Sequence, residues 1–373
     1  MSAAKSLFFY GTLRYAPLLE AVLGRQVTPR PARLADHCVR QVSGEAFPIL
    51  LPQPDSQADG ILVGGLSAAD CARLDYYEGP YGYALDPVTV MTDDGPVAAE
   101  VYRPPEGRWT PGEPWDLEAW IAQIGPATAR AAVEFMAGFG SVAPDEAARR
   151  YPQMLMRAAS SLRAEAEPAP ATLRHDAPRE AIDMITERRP HTGYFSVSMD
   201  DLRFPRFDGT QSAVIRREAF LMGDATTVLP YDPVRDRVLL IEQFRYGVHM
   251  RGDPRPWCLE PIAGRIDPGE TPEQAIRREA QEEAGLTLGA LYPCGNSYPS
   301  PGAVTEFLYS FVGIADLPDT AAGLGGLLTE QEDIRAHVLP FDRMMEMTRT
   351  GEIAATPLLM TAYWLALNRA ALA

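Results

Sequence analysis

Three glutamates on one predicted helix could do the chemistry of a metal site. Glu279, Glu282 and Glu283 lie three and four residues apart, a spacing that gathers side chains on one face of an α-helix. Like charges repel at this spacing, and Glu270, just before the helix, adds a further carboxylate. Clustered carboxylate oxygens are the ligands that Mg²⁺ and Mn²⁺ prefer, so a divalent cation would turn the repulsion into attraction. For the glutamates alone, a solvated acidic surface is the ordinary alternative.

The helix that must carry these glutamates has signals at both ends. Thr271 is a capping residue, Pro272 suits the first helical position, and Gln274 completes a capping box. Gly285 can adopt the left-handed conformation that ends a helix. Between these ends, the residues that recur every fourth position for packing on a sheet are Ile276, Ala280 and Ala284.

The wider segment from Gly264 to Leu286 reads G-x5-E-x7-R-E-A-x-E-E-x-G-L. It resembles the Nudix box at every fixed position, so the chain is identified as a member of the Nudix hydrolases. This resemblance implies an enzyme that hydrolyses a nucleoside diphosphate linked to another group, with Mg²⁺ or possible Mn²⁺ as cofactor. It also implies that Glu279 and Glu283 bind the metal, that Glu282 assists catalysis, and that Arg278 orients the carboxylates.

Residues 180–373 resemble the ADP-ribose pyrophosphatase branch of that family. The motifs are G-Y-F-S-V-S, V-I-R-R-E-A-F, V-L-P-Y-D-P-V-R-D-R-V-L-L-I-E-Q-F-R and W-C-L-E-P-I-A-G-R. The branch implies ADP-ribose as substrate, an α/β/α sandwich with a mixed sheet, and a homodimer that exchanges N-terminal strands. It assigns substrate binding to Tyr194, Arg217, Glu218, Arg245 and Glu306. A core aromatic is the alternative for Tyr194, and a surface ion pair for Arg217 and Arg245.

The same resemblance adds ligands and a base. It implies that the backbone carbonyl of Ala263 binds the metal. The segment T-E-Q-E-D-I-R, Thr329 to Arg335, matches a mobile loop of the branch. By that match Glu330 is the general base that activates water, and Glu332 is a further metal ligand. An exposed acidic loop is the alternative for both glutamates.

The first part of the chain carries a different series of motifs. Y-G-T-L follows a short apolar strand, and the amides of such a turn can cradle a carboxylate. Then come G-I-L-V-G-G-L, L-D-Y-Y-E-G, V-T-V and A-E-V-Y. This order resembles the gamma-glutamylcyclotransferase-like (AIG2-like) family, which implies a small β-barrel with helices. It implies that Glu78 is the general acid/base in release of 5-oxoproline, and that the substrate is held by Tyr10, Gly11, Thr12 and Leu13.

This first part also departs from its family. Ala84-Leu85-Asp86 stands where an arginine-containing stretch is expected, so Glu78 either catalyses or belongs to a fold that only binds or scaffolds. Three functions therefore compete: a Nudix hydrolase of ADP-ribose, a sensor of ADP-ribose or related nucleotides, and a gamma-glutamyl cyclotransferase. The complete carboxylate set favours the hydrolase, since a sensor needs no hydrolytic site.

Length and composition set the remaining expectations. For 373 residues we predict a cyclotransferase-like domain at 1–163, a Pro- and Ala-rich linker at 164–178 and a Nudix domain at 179–373. A net charge of −16 argues against nucleic acid as a partner. The absence of a long apolar run or signal-peptide layout predicts a cytoplasmic protein without membrane contact. Four cysteines without C-x-x-C spacing predict buried free thiols.

Overall fold

The computed structural model describes residues 4–175, 177–327 and 331–372. The chain divides into two compact units, Met1–Glu167 and Pro168–Ala373, and the division falls inside the segment predicted as a linker. The four cysteines are free thiols, as predicted, but they are half-buried rather than buried. Within the described ranges, no helix is both long and apolar enough to cross a bilayer.

The first unit is built on a small β-barrel. Its strands are β1 (Lys5–Phe9), β2 (Arg30–Val42), β3 (Pro48–Leu66), β4 (Ala84–Thr92), β5 (Gly95–Arg103) and β6 (Pro111–Pro114). The pairings run β3-β1-β5-β4-β2, and β2 pairs again with β3, which closes the ring; β6 joins β2. Side chains alternate along β1, so Phe8 packs in the barrel cluster while Leu7 and Phe9 pack in the cluster beneath the helices.

Five helices pack against the outside of this barrel, over the cluster that contains Leu7 and Phe9. They are α1 (Ala16–Leu23), α2 (Ala68–Glu78), α3 (Leu117–Gln123), α4 (Gly125–Met136) and α5 (Pro144–Ala166). A capping box between Ser67 and Asp70 starts α2, and Asp70 also pairs with Arg25. The hydrogen bonds from Arg25 and Ser67 hold the pKa of Asp70 well below its usual range. The start of α2 is therefore anchored, and Glu78 is the last residue of that helix.

The second unit begins with a small antiparallel sheet. Its strands are β7 (Asp183–Thr186), β8 (His191–Thr192), β9 (Ser196–Arg203) and β10 (Ile215–Leu221). The order is β10-β9-β7, and β8 pairs with the start of β9. Asp201 on β9 accepts hydrogen bonds from Arg188 and Arg216, which ties the loop before β8 and strand β10 to the middle strand.

A larger mixed sheet forms the body of the second unit. Its strands are β11 (Ala225–Asp232), β12 (Arg237–Phe244), β13 (Trp257–Glu260), β14 (Ile262–Arg265), β15 (Leu291–Ser297), β16 (Leu308–Ile314), β17 (Gly323–Gly325) and β18 (Ile334–Pro340). Strands β11 and β16 are parallel, and the other pairings are antiparallel. The helices are α6 (Tyr246–Arg251), α7 (Pro272–Ala284), α8 (Phe341–Thr350) and α9 (Thr356–Asn368).

Helices bury both faces of this sheet. Every residue of β11 is buried, with Val228 in the cluster beneath α7 and Leu229 in the cluster beneath α8 and α9. The same alternation places Ile241 of β12 on the α7 side and Leu240 on the other. A strand buried on both faces lacks the polar alternation of a half-exposed strand, and the polar residues of β11, Thr226, Thr227 and Asp232, are buried as well. The predicted α/β/α sandwich with a mixed sheet is confirmed.

Candidate active site

Helix α7 has the ends that the sequence predicts. The Thr271 side chain accepts a hydrogen bond from the Gln274 N–H, and the Gln274 side chain accepts one from the Thr271 N–H. Pro272 takes the first turn, and Gly285 ends the helix at φ 61°. These bonds are local, so they fix the register of the helix on the chain itself. The buried Ile276 then anchors its apolar face on the sheet.

Glu279 and Glu283 lie on the side of α7 that meets β14. Glu283 is only 1% exposed, and its Oε2 accepts a hydrogen bond from the Ala263 N–H at 3.2 Å. Burial raises the pKa of Glu283 to about 9 and that of Glu279 to about 7, because desolvation disfavours the charged carboxylate. The nearby charge of Glu332 raises both values further. The site thus gathers buried carboxyl groups that a cation would stabilise in their charged form.

The glycine that opens the box makes room for one of these carboxyl groups. A Cβ atom at position 264 would lie 1.9 Å from the carboxyl carbon of Glu279. Only a residue without a side chain lets the carboxyl lie against the backbone of β14. Gly264 is therefore required by contact with a functional side chain.

Arg278 holds the outer carboxylates of the cluster. Its guanidinium donates to Glu270, to Glu279 at 2.7 Å and to Glu282 at 3.0 Å. It also donates to the backbone carbonyl of Arg265 at 3.0 Å. Although burial opposes the change, these hydrogen bonds lower the pKa of Glu270. Arg278 thus bonds three carboxylates at once, and its orienting role stays a prediction.

Arg245 approaches the cluster from the end of β12. Its Nε and Nη2 bond Oε2 of Glu260, at 2.8 and 2.6 Å, and the charge of Glu283 acts on it. Although burial opposes the change, the bond to Glu260 raises the pKa of Arg245, which keeps the guanidinium charged. Glu260 was missed at the sequence level. Arg245 therefore does form an ion pair, the alternative to substrate binding, and the pair with Glu260 lies beside the carboxylates.

Glu332 approaches the same carboxylates from the other side. Its Oε2 accepts a hydrogen bond from the Leu327 N–H at 3.3 Å, and its Cβ would contact a side chain placed at Gly326. Strand β17 passes so close to α7 that a Cβ at Gly325 would lie 1.9 Å from the Glu283 carbonyl oxygen. The glycines let this segment approach the helix. Glu330, the predicted general base, lies outside the described residues.

Three further predicted residues lie in or beside the small sheet. Tyr194 is 61% exposed and contacts Phe195 edge to face, so the alternative of a core aromatic is wrong. Arg217 and Glu218 are exposed on β10, where Nη1 of Arg217 donates to the Arg216 carbonyl. None of the three contacts the carboxylate cluster in the interactions that the described residues make.

The segment just before Glu306 is hydrogen-bonded to strand β10. The Phe220 N–H and carbonyl bond the backbone of Ala303 and Thr305, next to Glu306. Glu306 then pairs with Arg265 of β14 at 2.7 Å, and Arg265 also donates to the Gly223 carbonyl. Arg265 was not singled out in the sequence, although it lies inside the box. This pair connects the small sheet to the strand beneath the carboxylates.

The predicted residues of the first unit share a cavity. Tyr10, Gly11, Thr12, Leu13 and Glu78 all line a cavity of about 380 Å³. Burial raises the pKa of Glu78 to about 7, which places its titration near neutrality. The structure therefore brings together the residues that the sequence assigned to this site.

Two family models match the chain. The NUDIX domain matches residues 222–358, and gamma-glutamyl cyclotransferase, AIG2-like, matches residues 7–120. ADP-ribose pyrophosphatase of Escherichia coli (strain K12) is 38% identical over 191 residues, which cover 51% of this chain and 90% of that protein. The chain belongs to the Nudix hydrolases. It is a hydrolase of pyrophosphate bonds with an AIG2-like unit fused at its N-terminal side.

Other Nudix relatives share the same region. ADP-ribose pyrophosphatase of Haemophilus influenzae is 35% identical over 196 residues, 52% of this chain and 90% of that protein. GDP-mannose pyrophosphatase of Enterobacter sp. (strain 638) is 36% identical over 174 residues, 46% of this chain and 88% of that protein. These relatives are thus named for nucleotide-sugar substrates with two different bases.

The donor set of this Nudix hydrolase suits a hard divalent cation. Carboxylate oxygens and a backbone carbonyl are the ligands such ions prefer, and the buried carboxyl groups have raised pKa values. As placed, no three acidic, histidine or cysteine side chains converge on one point within the described ranges. Glu279 and Glu282 are instead turned to Arg278.

Proposed function

We propose that this Nudix hydrolase cleaves the diphosphate of ADP-ribose to AMP and ribose 5-phosphate, with Mg²⁺ as its cation and Mn²⁺ as an alternative. The observation that carries the proposal is the pair of carboxyl groups on one side of α7, a helix held by its own caps: buried Glu283 bonds the Ala263 N–H, and half-buried Glu279 lies against Gly264. The two relatives named ADP-ribose pyrophosphatase support the choice of ADP-ribose over other nucleoside diphosphates.

Four residues would hold the cation in this proposal: Ala263 through its carbonyl, and Glu279, Glu283 and Glu332 through carboxylates. When bound, the cation neutralises the diphosphate and lowers the pKa of a water molecule. Glu282 assists catalysis at the edge of the cluster. Arg278 positions Glu279 and Glu282 through the bonds described above, as a residue that acts through the ligands.

The substrate would lie across the carboxylates. Arg245 would bind the diphosphate, since a guanidinium can donate two parallel hydrogen bonds to phosphate oxygens. Glu306 would lie near the terminal ribose, where its bond with Arg265 fixes the carboxylate. Tyr194 would stack on adenine, with Arg217 and Glu218 holding adenine or diphosphate. Glu330 would take the proton of the attacking water.

Purified full-length chain should prefer ADP-ribose in a screen of nucleotides with Mg²⁺ or Mn²⁺. We expect kcat/KM for ADP-ribose to be at least about tenfold above that for GDP-mannose, ADP-glucose and NADH, a difference of about 1.4 kcal/mol in transition-state binding. Chromatography of the products should give AMP and ribose 5-phosphate, and EDTA should abolish the reaction until Mg²⁺ is returned. Faster cleavage of GDP-mannose than of ADP-ribose would refute ADP-ribose as the preferred substrate, but not the hydrolase activity itself.

We also propose that the chain forms a homodimer through the small sheet. This part of the chain leaves large apolar side chains exposed: Ile182, Met184, Ile185, Phe195, Phe204, Val214 and Phe220. Phe195 and Phe220 contact each other edge to face, and an exposed apolar patch is typical of an interface in soluble proteins. Exchange of strands in this region would bring Tyr194 to the site of the partner subunit, consistent with its exposure in the single chain.

A charge in this surface should dissociate the dimer. Light scattering of the wild type should give twice the chain mass of 40.8 kDa, and Phe220→Glu should move the population toward one chain. Phe220 is 50% exposed, so the change should cost the interface more than the fold. Val234→Glu, at an 89% exposed turn of the same unit, is the matched control and should leave the mass unchanged. A wild-type chain that stays monomeric would refute the dimer.

The role of Glu78 as general acid/base in release of 5-oxoproline stays a prediction. Its support is the cavity shared with Tyr10 to Leu13 and a pKa of about 7, which suits proton transfer near neutral pH.

A further inference from the structure

Part of the cavity in the first unit is built by helices that lie beyond the family match. The AIG2-like match covers residues 7–120, yet α4, α5 and the residue that precedes α4 also line the cavity. We call this part the helical wall, and its lining residues are Ile124, Thr128, Ala148, Tyr151, Pro152 and Leu155. The family model therefore accounts for only part of the lining, and the rest comes from the later helices of this unit.

The helical wall presents a mainly apolar surface. Its two hydroxyl groups are already engaged within the protein. Thr128 donates to the Ile124 carbonyl at 3.0 Å, and the Tyr151 hydroxyl lies 3.4 Å from that of Tyr77. Burial raises the pKa of Tyr151 to about 12, so this phenol stays neutral. An apolar group of a ligand is therefore favoured against this wall, because its burial removes apolar surface from water.

The helical wall also carries no charge. Among the described residues that line the cavity, none is lysine, arginine or histidine, and the acidic ones are Glu45 and Glu78. Glu45 is exposed in the turn between β2 and β3, and Glu78 ends α2, so both lie in the part that the family model covers. A charged group of a ligand would lose its hydration at the wall and find no counter-charge there.

The hydrogen-bond donors around the cavity are neutral groups. Trp120, which also lines the cavity, has a buried N–H without a partner among the described residues. Burial keeps the phenols of the lining neutral by raising the pKa of each: Tyr10, Tyr77, Tyr81, Tyr83, Tyr102 and Tyr151. Neutral donors of this kind suit the carbonyl oxygen of an amide, which accepts hydrogen bonds without a charge.

The helical wall lies next to the residues assigned to the chemistry of this unit. Tyr77, directly before Glu78, contacts the ring of Tyr151 edge to face. The charge of Glu78 also acts on Tyr151, which places the carboxyl group close to the wall. An amide whose carbonyl carbon reacts beside Glu78 would therefore have the substituent on its nitrogen within reach of the helical wall.

We propose that the helical wall selects gamma-glutamyl compounds whose amide nitrogen carries an apolar group, over compounds with a charged group at that end. The inference rests on the proposed release of 5-oxoproline at Glu78 and adds the class of the leaving amine. In that reaction the neutral α-amine forms a bond to the γ-carbonyl carbon, and the bond from this carbon to the amide nitrogen breaks. One proton passes from the attacking to the leaving nitrogen, so the products are 5-oxoproline and an apolar amine, and no water is consumed.

Rates of 5-oxoproline release from matched gamma-glutamyl amides, measured with the full chain, test this selection. The amides carry N-hexyl, N-(5-aminopentyl) and N-(4-carboxybutyl) groups, which are chains of similar length that end in a methyl, an ammonium and a carboxylate group. We expect kcat/KM for the hexyl amide to be at least about tenfold above that for either charged amide. An equal or higher value for a charged amide would overturn the selection alone. No release from any of the amides would refute the reaction at Glu78 and the inference with it.

A carboxylate in the helical wall should change the preference in the opposite direction. Leu155 is half-buried on α5, and Leu155→Glu places a negative group on the wall. We expect kcat/KM for the hexyl amide to fall at least about tenfold and that for the aminopentyl amide to rise above its wild-type value. A variant that is only misfolded would lose both activities, so the rise for the aminopentyl amide separates selection from structural damage.

Two further variants complete the test. Ala164→Glu puts the same charge on an exposed position of α5 and should leave both values within about twofold of the wild type. Leu155→Ala removes apolar surface without adding charge, so it should lower kcat/KM for the hexyl amide and leave the charged amides within about twofold. Circular dichroism checks that each variant folds. An unchanged ratio of the two amides in both Leu155 variants, or an equal change in Ala164→Glu, would show that the wall is not the determinant.

Discussion

Glu283→Gln is expected to reduce kcat for ADP-ribose hydrolysis by about 10²–10³-fold at saturating Mg²⁺. The carboxylate is buried against the backbone of Ala263, so an amide in its place removes a charged ligand without opening a gap. Loss of one preorganised electrostatic contact costs about 3–4 kcal/mol in the transition state. Initial rates across a Mg²⁺ series measure the effect. A wild-type rate in this variant would remove the proposed metal site.

The matched control for this variant lies on the same helix. Glu273 is an exposed residue of the first turn of α7, so Glu273→Gln changes the charge of the helix equally but leaves the carboxylate cluster intact. We expect its rate to stay within about twofold of the wild type. Thermal unfolding at neutral pH without metal should show that Glu283→Gln is at least as stable as the wild type, since the wild-type carboxyl, with its pKa raised to about 9, must take up a proton on folding and the amide need not.

Arg278→Met should raise the Mg²⁺ concentration for half-maximal rate by about 10–100-fold. The guanidinium bonds Glu270, Glu279 and Glu282, and a residue that orients ligands in this way contributes about that factor to metal affinity. Methionine keeps much of the aliphatic stem but none of the donors. Rates measured against Mg²⁺ concentration separate this effect from a loss of kcat alone.

Arg277 provides the comparison for this second prediction. It is the adjacent arginine of α7, and its guanidinium donates to the carbonyls of Leu288 and Gly289 rather than to a carboxylate. Arg277→Met should lower thermal stability modestly and leave the metal requirement within about twofold. An equal shift of the Mg²⁺ requirement in both variants would mean that Arg278 acts through general charge and not by positioning.

The parts of the site that the sequence predicts are those fixed by local interactions. Thr271 and Gln274 cap α7 across three residues, and Gly285 ends it, so the helix bounds could be deduced from neighbouring residues. Glu279 and Glu283 are four residues apart, so helix geometry alone predicts that both lie on one side of α7. The motif identifies Gly264 as a fixed position. The reason, contact between its backbone and the Glu279 carboxyl group, is visible only in the structure.

The parts that sequence reasoning missed depend on distant partners. Glu260 meets Arg245 across 15 residues, and Arg265 meets Glu306 across 41. Neither partner carries a local signal, because an ion pair between segments that are distant in sequence has no fixed spacing. Strand β3 spans 19 residues, but its middle is exposed and polar, so no apolar pattern marks its full length in the sequence.

The capping bonds of α7 also bear on the thermodynamics of metal loading. Because the helix is held at both ends and along its apolar face by the protein alone, the backbone that carries the carboxylates is ordered before any ion arrives. Little of the free energy of ion binding is then needed to order the backbone, in contrast to proteins that fold only around their metal. Chelation should accordingly abolish hydrolysis while the far-ultraviolet circular dichroism of the chain persists.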